Sequence, residues 1–120
     1  MKALKLQKKA AKVGFDWDNV QDAFDKLLEE TAELRELIAA PADESLAARQ
    51  HEELGDVLFS VVNIARFLNI DPESAMAAVN RKFYARFRYI EEQLQAAGKT
   101  FRDVDLAEME RLWQEAKGKV

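Results

Sequence analysis

The residues best suited to chemistry are carboxylates in two matched groups. Glu30 and Glu33 lie three apart in one segment, Glu53 and Asp56 three apart in another. Each group has a cation four residues before its first acid, Lys26 and Arg49. On a helical wheel, Glu30 falls inside the apolar stripe of Ala23, Leu27, Leu34 and Leu37. Glu53 falls inside the stripe of Val57, Val61, Ile64 and Leu68, and the partner acids and cations fall on the stripe margins. Residues three apart share a helix face. Antiparallel packing of the two helices, which a short connection favours, therefore brings four carboxylates together. Four acids in a partly apolar setting repel one another and are costly to bury ionised. A divalent cation resolves both problems. All-oxygen ligands suit Mg²⁺, Mn²⁺ or Ca²⁺ rather than zinc or copper, and Mg²⁺ usually shares a few carboxylates with substrate phosphates. The plainer reading is two solvated helix faces with i,i+4 ion pairs worth about 0.2–0.5 kcal/mol each. A di-iron bundle would need paired ExxH motifs; His51 is the only histidine, and Ala48 stands three before it.

The elements that position these acids read as helices with short breaks. A first helix covers roughly Met1 to Val13 and carries Lys2, Lys5, Lys8, Lys9 and Lys12. Gly14-Phe15-Asp16-Trp17-Asp18-Asn19 breaks it, and Asp18 or Asn19 can cap a second helix running to about Ala40. Pro41 stops that helix. A third starts near Asp43 to Ser45 and continues to about Leu68. Asp71-Pro72-Glu73 is a cap followed by proline at the first helical position. The fourth helix runs to about Ala97 and closes at Gly98; Phe101 to Val104 reads as loop, and Asp105 with Glu108 starts a short last helix carrying Trp113. The third helix is apolar nearly all round in its second half, which predicts burial on all sides. A chain of this size covers such a helix poorly, so a second subunit is expected.

Length and composition set the bounds. With 120 residues, residues 1–120 are expected to form a single domain. Lys plus Arg number 18 and Asp plus Glu 22, a net charge of −4 that argues against a nucleic-acid groove. The absence of cysteine excludes disulfides, thiolate metal sites and a cysteine nucleophile. No apolar run spans a membrane and no secretory h-region opens the chain, so no membrane partner and a cytoplasmic location are expected. On the fourth helix, Lys82 and Arg86 lie together on one flank of the stripe, with Asn80 close by in sequence. Such cations can hold phosphate oxygens, although on spacing alone a solvated basic patch, with Arg81 and Arg88 on the same helix, explains them better. Trp17 and Trp113 are expected in the core, and Phe83, Tyr84, Phe87 and Tyr89 in core and interface packing.

Taken together, these runs resemble the MazG-type nucleoside triphosphate pyrophosphohydrolases, in particular the C-terminal catalytic domain of the two-domain members. The resemblance rests on Gly14-Phe15-Asp16-Trp17, on Glu29-Glu30-Thr31-Ala32-Glu33 and on Glu52-Glu53-Leu54-Gly55-Asp56-Val57-Leu58-Phe59. It extends through Val62-Asn63-Ile64-Ala65-Arg66 and Asn80-Arg81-Lys82-Phe83 to Arg86-Phe87 and the Glu110 to Trp113 ending. Nineteen residues (34–52) separate Glu33 from Glu53, the spacing of the all-α nucleotide pyrophosphatase group. The resemblance implies an all-α bundle of four to five helices that forms a homodimer or higher oligomer, with the active site near the interface. It implies Mg²⁺-dependent hydrolysis of nucleoside triphosphates between the α- and β-phosphates, giving monophosphate and pyrophosphate. It further implies Glu30, Glu33, Glu53 and Asp56 as metal ligands, Lys26, Lys82 and Arg86 on the phosphates, and Asn80 and Trp113 on the nucleoside. Arg49 stands where relatives often carry Lys. Glu29 matches the double-Glu motif but lies off the metal face. A relative acting on dCTP, dUTP or phosphoribosyl-ATP, and a non-enzymatic helical dimerisation module, are the competing readings.

Overall fold

Capping chemistry sets the element boundaries. In a computed structural model, which describes residues 1–120, all regular structure is helical. The elements are α1 (Lys2–Lys12), α2 (Val20–Ala39), α3 (Leu46–Phe67), α4 (Pro72–Ala96) and α5 (Leu106–Ala116), with a 3₁₀ turn at Phe101–Asp103. No helix is long and apolar enough to cross a membrane. Gly14 ends α1 at φ +89°, a conformation that side chains with a Cβ rarely adopt. Asn19 caps α2, its side chain accepting from the Asp22 N–H at 2.9 Å. Ala40 is extended ahead of Pro41, which stops α2 at Ala39. Asn69 takes a left-handed φ of 57° after α3, and the Ile70 N–H donates back to the Ala65 carbonyl at 2.9 Å.

One expected loop is ordered. Phe101–Asp103 turns as a 3₁₀ segment because Thr100 and Asp103 cap each other. The Asp103 carboxylate accepts from the Thr100 N–H at 2.8 Å, and the Thr100 hydroxyl accepts from the Arg102 N–H at 3.3 Å. Asp105 then caps α5, accepting from the Glu108 N–H at 2.9 Å as its sequence position predicts.

The chain divides into two compact units, Met1–Glu73 and Ser74–Val120. In the first, α2 pairs with α3. Their register is antiparallel: Gln50 donates to the Leu37 carbonyl at 3.1 Å, and further along Glu30 meets Glu53. α1 lies on α3, where the Gln7 amide donates to the Phe59 carbonyl at 2.9 Å. The turn between α1 and α2 is fastened to α3 by a two-pronged ion pair. Arg66 Nη1 and Nη2 donate to Asp16 Oδ2 and Oδ1 at 2.9 and 2.5 Å.

Within the single chain α3 is far from buried all round. Only Ser60 and Val62 are buried on it, while Leu54, Leu58, Val61 and Leu68 are exposed. In the second unit Ile90, Leu94 and Leu112 form the core, with Phe101, Val104 and Trp113 packed against it. Tyr89 is buried and donates to Glu115, whereas Phe83, Tyr84 and Phe87 are exposed. Trp17, expected in the core, is also exposed. Replacing Asn19 with Ala is expected to cost about 1 kcal/mol in urea unfolding, and Asn19→Ser to restore most of it.

Candidate active site

α2 and α3 deliver three carboxylates to one point. Single oxygens of Glu30, Glu33 and Glu53 all lie within 4.8 Å of one another. Glu30 is buried, Glu53 half-buried and Glu33 exposed, so the group sits at the wall of the unit rather than in its interior. Asp56 is outside this group of three, although it borders the same cleft as Glu30.

The two cations four residues before the acids behave differently. Lys26 Nζ lies 2.9 Å from Glu30 and 3.6 Å from Glu29. Arg49 does not turn to Glu53. Its guanidinium reaches back to the Asp43 carboxylate at 3.3 Å and the Ser45 hydroxyl at 3.2 Å, across the start of α3. The carboxylate group therefore holds one close cation for three acids.

That imbalance governs protonation. A hydrogen bond from Glu53 and the pairing with Lys26 hold Glu30 below the usual carboxylate range. Glu53 is pushed up to about 7, first by its hydrogen bond with Glu30, then by desolvation and the neighbouring negative charges. The Lys26 ammonium is pushed up by its bond to Glu30. Even so, Glu30 Oε2 and Glu53 Oε1 are buried without a hydrogen-bond partner. Two orphaned carboxylate oxygens facing a third acid fit a hard divalent cation, whose all-oxygen preference matches this donor set.

Glu30 and Asp56 border a cleft of about 530 Å³. Lys26, Glu30 and Asp56 lie in its wall with Phe15 and Trp17 from the α1–α2 turn, and Gln7 of α1 and Asn63 of α3 complete it. In the sequence, Gly14 to Asn19 reads as a helix break, and spacing alone assigns no role to Asn63 and Arg66. The signal was present as an aromatic-acid-aromatic run and a polar pair three apart, but their meeting depends on the Asp16–Arg66 contact fifty residues apart. Asn80, Lys82, Arg86 and Trp113 belong to the second unit. There the Arg86 guanidinium lies over the Trp113 ring at 5.3 Å, and Phe83 meets the same ring at 5.5 Å. Arg86 Nε is buried and unpartnered, and Asn80 and Lys82 are exposed.

The raised Glu53 value fixes the sign of a pH effect. Between about 4.5, the ordinary glutamate value, and about 7, the folded chain keeps a proton that the unfolded chain has lost. Stability of the metal-free chain therefore falls as pH rises through that window. Melting curves from about pH 5 to about pH 8 should show this loss, and Glu53→Gln should flatten it; an unchanged slope in the variant would mean that Glu53 is not the group.

Comparison with known proteins places the sequence. Residues 19–90 match the family described as the MazG nucleotide pyrophosphohydrolase domain, a span that includes all four carboxylates. The chain is 40% identical over 116 residues to the Thermotoga maritima nucleoside triphosphate pyrophosphohydrolase/pyrophosphatase MazG, covering 97% of this chain and 43% of that protein. It is 42% identical over 118 residues to the Escherichia coli nucleoside triphosphate pyrophosphohydrolase, covering 98% of this chain and 44% of that protein. An uncharacterized Bacillus subtilis protein, YabN, is 50% identical over 78 residues, 65% of this chain and 15% of its own length. The chain thus spans less than half the length of these relatives. With the helix pair, the paired acids and this match in agreement, the chain belongs to the MazG nucleotide pyrophosphohydrolase family.

Proposed function

We propose that residues 1–120 act as one catalytic domain that hydrolyses nucleoside triphosphates between the α- and β-phosphates, releasing monophosphate and pyrophosphate. The observation that carries this reading is the convergence of Glu30, Glu33 and Glu53, with two buried carboxylate oxygens lacking partners, beside a cleft that Glu30 and Asp56 line. The printed names of the Thermotoga maritima and Escherichia coli relatives support the substrate class.

Glu30, Glu33 and Glu53 would hold Mg²⁺, with Asp56 as a fourth ligand and Mn²⁺ as a substitute. When bound, the ion supplies Lewis-acid stabilisation of negative charge on phosphate oxygens. The chain's own groups do the rest. Glu30 or Glu33 orients the attacking water and takes its proton. Lys26, already placed at the acid cluster, meets the phosphates. Lys82 and Arg86 stabilise the departing pyrophosphate, and Asn80 and Trp113 contribute to holding the nucleoside; these four assignments rest on the family resemblance. Arg49, engaged with Asp43, supports the start of α3 and is assigned to substrate only through that resemblance. Turnover extends across several bases, as expected of a cytoplasmic enzyme that clears the nucleotide pool.

A homodimer completes this reading. The exposed Leu54, Leu58, Val61 and Leu68 on α3 form an apolar surface of the kind that a second copy covers. Light scattering should report a dimer or higher oligomer, and Leu58→Glu should shift it towards monomer; a monomeric unsubstituted chain would overturn the assembly.

Incubation with dGTP, dTTP and ATP, with and without Mg²⁺, tests the reaction. Monophosphate and pyrophosphate should form only with the metal, and Glu53→Gln should lower the rate by at least about a hundredfold, the loss typical of a group acting on transition-state charge. Release of orthophosphate would put the cleavage at a different bond. No turnover of any triphosphate would favour the non-enzymatic helical module.

A further inference from the structure

The cleft reaches beyond the carboxylates to a wall where two side-chain amides have fixed polarity. Gln7, 5% exposed, donates through Nε2 to the Phe59 carbonyl at 2.9 Å. Its amide is oriented by that bond, and Oε1 is left as a buried acceptor with no partner. Asn63 is set in the opposite sense. Its Oδ1 accepts from Arg66 Nη2 at 3.0 Å, which leaves the amide nitrogen as the group it can offer to a ligand. Arg66 is itself held by Asp16, so this polarity is locked by the same ion pair that fastens the α1–α2 turn. Phe59, whose carbonyl holds the Gln7 amide, lies one helical turn before Asn63 on α3, and Gln7 and Asn63 line the same cleft. Phe15, Trp17 and Phe59 supply exposed aromatic surface in the same cleft.

We propose that Gln7 and Asn63 read the edge of the nucleobase and favour lactam bases, guanine and thymine or uracil, over adenine and cytosine. A lactam edge presents a carbonyl beside a ring N–H. The carbonyl of guanine C6, or of thymine or uracil C4, accepts from the Asn63 amide nitrogen. The adjacent ring N–H donates to Gln7 Oε1 and satisfies its missing bond. Adenine and cytosine present the reverse order, an amine donor beside a bare ring nitrogen, which sets donor against donor and acceptor against acceptor. The aromatic side chains stack on any base and so account for general binding without discrimination. Discrimination then falls to the two amides, because a site built to hydrogen-bond one edge penalises the edge that leaves its polar groups unpaired.

This inference rests on the carboxylate end of the cleft being the triphosphate end, and two measurements keep the two apart. The first is kcat/KM with Mg²⁺ for dGTP, dTTP, dATP and dCTP. The lactam pair should exceed the amine pair by about tenfold or more, the scale of a two-bond base contact, with the difference mainly in KM. Gln7→Met and Asn63→Leu should each collapse the ratio towards one, with thermal melts confirming that the variants fold. The second is calorimetric titration of the unsubstituted chain with dGMP and dAMP, which needs neither turnover nor a variant. Tighter binding of dGMP supports the inference even if no triphosphate is hydrolysed. Equal affinities, a flat or inverted triphosphate ranking, or a ranking that survives both substitutions would overturn it.

Discussion

Three carboxylates share one neutralising ammonium group, and much of the first unit can be understood as the means of holding that arrangement. Lys26 satisfies Glu30 from the same helix, one turn earlier. Glu53 arrives from α3 without a cation of its own, because Arg49 is occupied at the start of that helix. The hydrogen bond between Glu30 and Glu53 holds the first below the usual carboxylate range and, with desolvation, pushes the second up to about 7. Antiparallel pairing of α2 and α3 forces the approach, and Gln50 ties the two helices together by donating to the Leu37 carbonyl. Repulsion is thus held in place by packing, a state that a divalent ion would relieve.

The rest of the first unit builds walls around this group. α1 leans on α3 through Gln7, and the α1–α2 turn is tied to α3 through Asp16 and Arg66. Neither contact involves the carboxylates. Gln7, Asp16 and Arg66 line the same cleft as Glu30, so the contacts that shape the cleft are distinct from those that gather the acids. α3 is the shared element: it contributes Glu53 at one position and Phe59, Asn63 and Arg66 along the turns that follow.

Much of this was legible in the amino-acid sequence. The helix boundaries followed from Asn19, Pro41, Asp71-Pro72, Gly98 and Asp105, whose effects are local. The carboxylate convergence was legible because a three-residue spacing within an apolar stripe restricts where an acid can point. What the sequence did not show depended on distant contacts. Arg49 and Lys26 have the same spacing to an acid, yet only Lys26 closes the pair, because Asp43 and Ser45 compete for Arg49. Trp17 read as core because large aromatics usually bury; the ion pair of its neighbour Asp16 holds that turn at the cleft instead. The fully buried α3 expected from composition is exposed in the single chain, since apolar content states a need for cover and not its source.

The segment matching the family description begins at residue 19, after α1 and after the turn that carries Phe15 and Trp17. All four acids lie inside that segment, and Leu6, Gln7, Ala10, Phe15, Asp16 and Trp17 of the cleft lining lie before it. The four acids and part of the cleft lining therefore lie in separate stretches of chain, while Phe59, Asn63 and Arg66 supply further lining from inside the matched segment. Changes in the first seventeen residues can thus reshape the cleft while leaving Glu30, Glu33, Glu53 and Asp56 in place.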